Sequence, residues 1–215
     1  MLLLALAAQA ALPAIDGARL QPGIVCYAIA RGETVMGATL QTVKATTVDG
    51  APAWDIVIHQ RVGDKFDLRD HFVLRQRDLA PIAFDSRKSG AEHVRVAYGP
   101  GKLITTRPGA VPVETALAGP VWEGNLWGLT FAALPLAEGA HFELPFYQYD
   151  KGLGTFTLDV VGSEKVADQD TWVVETGEGA RKVRYFIGKT SRAELGYSGS
   201  GFSQRLGGDC SGIAQ

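Results

Sequence analysis

The feature that most constrains this chain is a two-residue hydrophobic period that returns along most of its length. Between residues 53 and 60, Trp54, Ile56 and Ile58 alternate with Asp55 and His59, and only Val57 breaks the polar side. Val94, Val96 and Tyr98 alternate with His93, Arg95 and Ala97. Phe156, Leu158 and Val160 alternate with Thr155, Thr157 and Asp159, and Val183, Tyr185 and Ile187 alternate with Lys182 and Arg184. Successive side chains of a strand point to opposite faces, so this pattern describes a sheet with one buried and one wet face. Further strands are read at residues 23–30, 35–46, 72–77, 82–87, 102–107, 143–149 and 171–176. Asp49-Gly50, Ser89-Gly90, Gly99-Pro100-Gly101 and the glycine-rich run 151–154 separate these segments at hairpin spacing. Links this short join antiparallel strands, because a parallel pair needs a long crossover, and no strand–helix–strand rhythm appears. The expectation is a mainly β chain forming one twisted, curved antiparallel sheet of about eight to eleven strands.

One stretch breaks the pattern. In residues 122–136, Trp122, Leu126, Leu129 and Ala133 fall at i, i+4, i+7 and i+11, which is one face of a helix ended by Pro135. Gly124 and Gly128 each weaken such a helix by about 1 kcal/mol relative to alanine, so its shape must come from packing. A one-sided sheet has to bury its apolar face against something, and this segment is expected to cover it. Trp127 and Phe131 fall on a second side of the helix. Together with Trp54, Trp122 and Leu126 they form the candidate ligand-binding set: aromatic and apolar side chains that either line a cavity for an apolar ligand or fill the core beneath the helix.

The chain has 215 residues with a net charge of -2, and its 21 basic residues are spread out. That length suits a single domain, and the absence of a basic stripe removes electrostatic support for a nucleic-acid partner. The opening run, Leu2 to Leu12, is apolar and contains Ala8-Gln9-Ala10, a small-x-small cleavage pattern, although a basic start is missing. Residues 1–14 are therefore read as a signal peptide, 15–206 as one β-rich domain, and 207–215 as a loose tail unless Cys210 ties it down. The run is too short to span a bilayer, so an integral membrane protein is not expected. Two cysteines, Cys26 and Cys210, lie outside any CxxC pair. An even count in a secreted chain favours a disulfide, the alternative being two separate thiols. Periplasmic or secreted localisation follows, as a monomer.

The sequence carries no recognisable catalytic or metal motif. Ser198, Ser200 and Ser203 lack the flanking glycines of a nucleophile elbow and read as a flexible turn. Gly152-Leu153-Gly154 lacks the third glycine of a dinucleotide loop, and no phosphate loop occurs. His59, His71, His93 and His141 show no ligand spacing, so no metal or cofactor is expected. Asp64, Asp67, Asp70 and Asp78 mingle with Arg61, Arg69, Arg75 and Arg77, which reads as a solvated face of mixed charge.

Three segments carry a family resemblance. They are Phe72-Val73-Leu74-Arg75-Gln76-Arg77-Asp78-Leu79-Ala80-Pro81-Ile82-Ala83-Phe84, then Trp122 to Leu136 followed by Glu138-Gly139, and Tyr185-Phe186-Ile187-Gly188-Lys189-Thr190-Ser191-Arg192, which leads into a last hairpin. In this order they resemble the secreted proteins grouped as domain of unknown function 3108, which are similar to the LolA and LolB lipoprotein carriers. The resemblance implies an unclosed half-barrel, a curved antiparallel sheet with one or two short helices on its concave face, and a lipid or acyl chain as ligand. It assigns no binding residue. The functional expectation is a non-enzymatic carrier for a lipid-like ligand. The alternative is a structural or protein-interaction domain of the cell envelope with a filled core.

Overall fold

The computed structural model describes residues 12–214. The expected signal peptide thus lies outside the described residues, apart from its last three positions. The described residues form fifteen strands: β1 (Gly23–Arg31), β2 (Thr34–Val48), β3 (Ala51–Val62), β4 (Phe66–Arg75), β5 (Pro81–Lys88), β6 (Ala91–Gly99), β7 (Lys102–Thr106), β8 (Val113–Ala116), β9 (Trp122–Glu123), β10 (His141–Gln148), β11 (Gly152–Val166), β12 (Gln169–Thr176), β13 (Val183–Gly188), β14 (Glu194–Gly199) and β15 (Phe202–Leu206). All belong to one curved sheet in the order β8-β7-β6-β5-β4-β3-β2-β1-β15-β14-β13-β12-β11-β10-β9, not closed into a barrel. Among the described residues every pairing of strands is antiparallel except the two-residue parallel contact of β9 with β10, and Tyr27 makes an isolated parallel bridge with Gly207. The expected fold class holds, and the strand count exceeds the expected range. The extra strands are β8, β9, β14 and β15, which are short or glycine-rich and carry too few alternations to register.

This order follows from the chain being two meanders. β1 to β8 run outward one way by hairpins, β10 to β15 run back by hairpins after the α1 segment that follows β9, and β1 pairs with β15 through Ala28–Arg205, Ile29–Gln204 and Ala30–Ser203. The two free edges, β8 and β9, are joined by residues 117–121. The edges do not hydrogen-bond to one another; they overlap. Tyr149, just past β10, stacks on Phe84 of β5 at 5.7 Å between ring centres. The Tyr147 hydroxyl lies 2.6 Å from Thr105 Oγ1 of β7, and Arg107 Nη2 donates to the Tyr149 carbonyl at 2.7 Å. The end of β10 thereby covers the concave face of β5–β7.

That concave face carries the alternating apolar positions read from the sequence. Trp54, Ile56, Phe72, Leu74, Phe84, Val94, Val96 and Leu103 from the first meander pack with Leu144, Leu158, Val160, Val174 and Ile187 from the second. The helical segment is shorter than expected. Trp122 and Glu123 are strand, Leu126 caps the helix, and α1 covers only Trp127–Ala132. The two glycines explain the difference. A Cβ on Gly124 would lie 2.8 Å from the Tyr147 carbonyl oxygen, so this residue lets the chain pass against β10 as an extended segment. Two single-turn 3-10 segments, Gly17–Arg19 and Gly179–Arg181, complete the helical content of the described residues.

The convex face of β3–β5 is polar, as the mixed charges suggested. His71 Nδ1 meets Asp85 at 2.8 Å and its Nε2 meets Asp55 at 3.3 Å, while Asp78 holds Arg75 through two contacts of 2.8 Å in the β4–β5 turn. Asp70 is the exception and corrects the reading of a solvated face. It pairs across the sheet with Ile58 and Ser86, and so shares the inward row that ends in buried Val94. Burial pushes its carboxyl up to about 6, with the neighbouring Asp85 charge adding to the shift. The tail is tied down through Cys210, the condition under which it was not expected to be loose. Cys26 and Cys210 form a disulfide, Gly207 N donates to the Cys26 carbonyl at 3.0 Å, and Ile213 is buried against Ala38 and Leu40. His59 and Arg61 bind the last described carbonyls, of Ala214 and Gly212, at 2.9 and 2.7 Å.

Candidate functional site

The five residues expected to bind ligand fall inside the packed concavity. Trp54 is buried, and its Nε1 donates to the Gly17 carbonyl at 2.9 Å. Trp122 is buried, and its Nε1 donates to the Asp78 carbonyl at 3.0 Å. A tryptophan with its one donor satisfied by backbone and its rings in the core is a structural pillar. Leu126 and Phe131 are fully buried. Trp127 is half-buried and stacks on Phe156 at 3.8 Å, with Phe146 edge-on at 5.3 Å and Phe131 at 5.9 Å. Phe131 in turn meets Tyr185 edge-on at 5.0 Å. These aromatic side chains fill the space that the α1 segment covers.

Two carboxyls are buried beside this plug. Glu194 of β14 packs against α1 so closely that a Cβ on Gly128 would lie 1.9 Å from its Oε2. Burial pushes the Glu194 carboxyl up to about 7, and the Tyr27 hydroxyl donates to its backbone carbonyl at 2.9 Å. Glu123 of β9 accepts from the Tyr98 hydroxyl at 2.6 Å and from Asn125 Nδ2 at 2.9 Å, and Gln148 donates to Asn125 at 2.9 Å. Burial also pushes Glu123 up to about 7, with Asp70 adding to the rise and the Tyr98 and Asn125 bonds opposing it. This network ties β9, β6 and β10 together at the overlap. Sequence reasoning passed over both glutamates, because each stands alone between apolar residues with no motif around it.

The open space lies elsewhere, on the flank of the sheet beside β10. A groove of about 1110 Å³ runs between residues 117–121, β10 and the start of β11. Its apolar wall includes Leu117, Val121, Phe142, Pro145, Phe146 and Leu153, and Leu12 and Pro13 stand at its rim. A volume of this order is at the upper end of small-molecule sites. On the other side of residues 117–121 a second cavity of about 670 Å³ is bounded by Arg75, Tyr98 and the 99–101 turn. Of the five expected residues, none lines either cavity.

Among the described residues, no group of three or more His, Cys, Asp or Glu side chains is placed to hold a metal ion. No helix among them is long and apolar enough to cross a membrane.

A comparison with solved structures finds a β-barrel-like protein of domain of unknown function DUF1849 from Brucella abortus. It aligns with a TM-score of 0.53 at 10% identity, covering 90% of this chain and 96% of that one. The likeness is one of fold. Comparison with curated proteins finds no match. The family model described as protein of unknown function (DUF3108) matches residues 26–195, most of the sheet from β1 into β14, and the chain belongs to that family.

Proposed function

We propose that the protein is a non-enzymatic binding module of an oxidising, extracytoplasmic compartment, and that it holds an elongated apolar ligand in the groove beside β10. The single observation that carries this reading is the groove itself: about 1110 Å³ of open space walled by Leu117, Val121, Phe142, Phe146 and Leu153. The compartment is supported by the Cys26–Cys210 disulfide, since such bonds persist where thiols are not kept reduced. Lipid-like chains are the ligand class that the resemblance to lipoprotein carriers implied. The space beneath α1, where such a chain was expected, is occupied by stacked aromatic side chains, so the binding role moves to the flank. The competing reading, an envelope domain with a filled core and no ligand, draws on that same plug.

An environment-sensitive uncharged apolar dye, Nile red, separates the two. Leu153 is 49% exposed, so Leu153→Asp changes the groove wall without opening the core. The native protein is expected to take up the dye with an increase in fluorescence, and the variant to lose most of it at unchanged thermal midpoint. Dye uptake that is absent, or equal in both proteins, gives the function to the filled-core reading.

A further inference from the structure

The groove has a second wall that is not apolar. β9 covers the outer edge of β10 only at Phe146 and Tyr147. There Gly124 N donates to the Tyr147 carbonyl at 2.8 Å, so Tyr147 directs its backbone groups away from β11. On the inner side, β10 pairs with β11 from His141–Asp159 to Gln148–Gly152. Backbone groups along an antiparallel strand alternate between its two sides. His141, Glu143 and Pro145 therefore share the outward direction of Tyr147, and all three line the groove. Among the described residues no strand and no turn bond engages the outward backbone at these positions. Two N–H donors and three carbonyl acceptors face the groove, the proline having no N–H to offer. The stretch from His141 to Pro145 spans about 17 Å of strand edge.

We propose that the groove receives an extended polypeptide segment, which adds to the sheet as a strand on the outer edge of β10. The inference rests on the groove being the binding site and names the class of its ligand. An acyl chain would meet Leu117, Val121 and Leu153, but it would strip water from the edge amides and carbonyls and return no hydrogen bond, which is costly for each group. A polypeptide backbone supplies donors and acceptors at the matching spacing, and side chains at alternate positions reach the apolar wall. β9 already uses this edge in this way. The incoming segment lies in the groove between β10 and residues 117–121. Its chemistry is that of a strand with apolar residues at every second position, as found in β-rich proteins before they fold.

The test uses the full chain and a fluorescently labelled peptide of about eight residues alternating valine and threonine, read by anisotropy. Two further peptides carry N-methyl groups on one or the other set of alternate residues. A strand that pairs on one edge uses the N–H groups of one set only. The unmodified peptide is expected to bind, one methylated peptide to bind about tenfold more weakly or not at all, and the other to bind nearly as well. Glu143→Pro removes an edge donor that the β10–β11 ladder does not use. It is expected to weaken the peptide by a similar factor at an unchanged thermal midpoint. Peptide that fails to bind while cis-parinaric acid does bind would overturn the proposal and leave an acyl ligand in the groove. Equal binding of both methylated peptides would overturn it as well. Failure of the dye, the fatty acid and the peptide together would remove the binding site itself.

Discussion

Glu194 carries its carboxyl against the backbone of Gly128, and the two residues explain each other. Read alone, Gly128 is a flaw in a helix; in the fold it is the absence of a side chain that leaves room for the carboxyl. Neither fact is legible from the sequence, because the residues are far apart along the chain and meet only across the concavity. Glu123 is equally hidden, and its partner Tyr98 reaches it from β6. Both carboxyls are pushed from an ordinary 4.5 up to about 7 by burial. Each holds its proton more tightly folded than unfolded, so the folded chain binds more protons between about pH 4.5 and 7. Their cost to stability is absent below that window, grows through it and is complete above it, on the order of 3 kcal/mol for each group. Denaturant midpoints are thus expected to fall from pH 5 to pH 8. Glu194→Gln should flatten that slope and raise the midpoint at pH 8. A midpoint that rises with pH in the native protein, or a slope unchanged in the variant, would contradict this account of the plug.

At the scale of elements, the strands legible in the sequence are those whose two faces see different surroundings. β6 alternates because one side meets the core and the other meets water, and the β5–β6 and β6–β7 turns were visible in Ser89-Gly90 and Gly99-Pro100-Gly101. The hairpin of β14 and β15 was implied only by the family resemblance, because Gly196, Gly199 and the serines imitate a loop. Only Ser200 and Gly201, both at positive φ, make the turn, while Ser203 is buried in the sheet. Residues 122–136 were misjudged as one helix because a helical period is also satisfied by a strand, a glycine bend and a short helix in succession. The candidate site was less legible still. The groove depends on an edge that β9 leaves half covered, which no periodicity records. The aromatic residues chosen for ligand binding were recognised as special, but their weight goes to packing. Trp127→Ala tests this. Removing a ring stacked on Phe156 and edged by Phe146 is expected to cost about 3 kcal/mol, the low end for a large aromatic because Trp127 is only half-buried. Dye uptake by the groove should hardly change. A variant as stable as the native protein would mean that α1 is a loose lid.

Over the whole molecule, almost every strand pairs with its neighbour in sequence, and the exception is the junction of β1 with β15. Closing that junction brings together residues from opposite ends of the chain, which is the most expensive loop in the fold. The Cys26–Cys210 bond sits beside it with a sequence separation of 184. In the chain-entropy account a loop of this length restrains the unfolded state by up to about 5 kcal/mol. Replacing both cysteines by serine is expected to lower the denaturation midpoint and to free Ile213 and the residues after Cys210 for digestion by a carboxypeptidase. An undiminished midpoint would assign the junction's stability to the sheet alone. The placement has a mechanical consequence too. β1 and β15 are antiparallel, so tension applied to the flanking chain would load their ladder one rung at a time from the Tyr27–Gly207 end, the weakest geometry for a sheet. The covalent bond stands ahead of that first rung. A pull that reaches Cys26 and Cys210 crosses between them through sulfur and bypasses the β1–β15 ladder, so the same junction is a zipper when reduced and a spared one when oxidised.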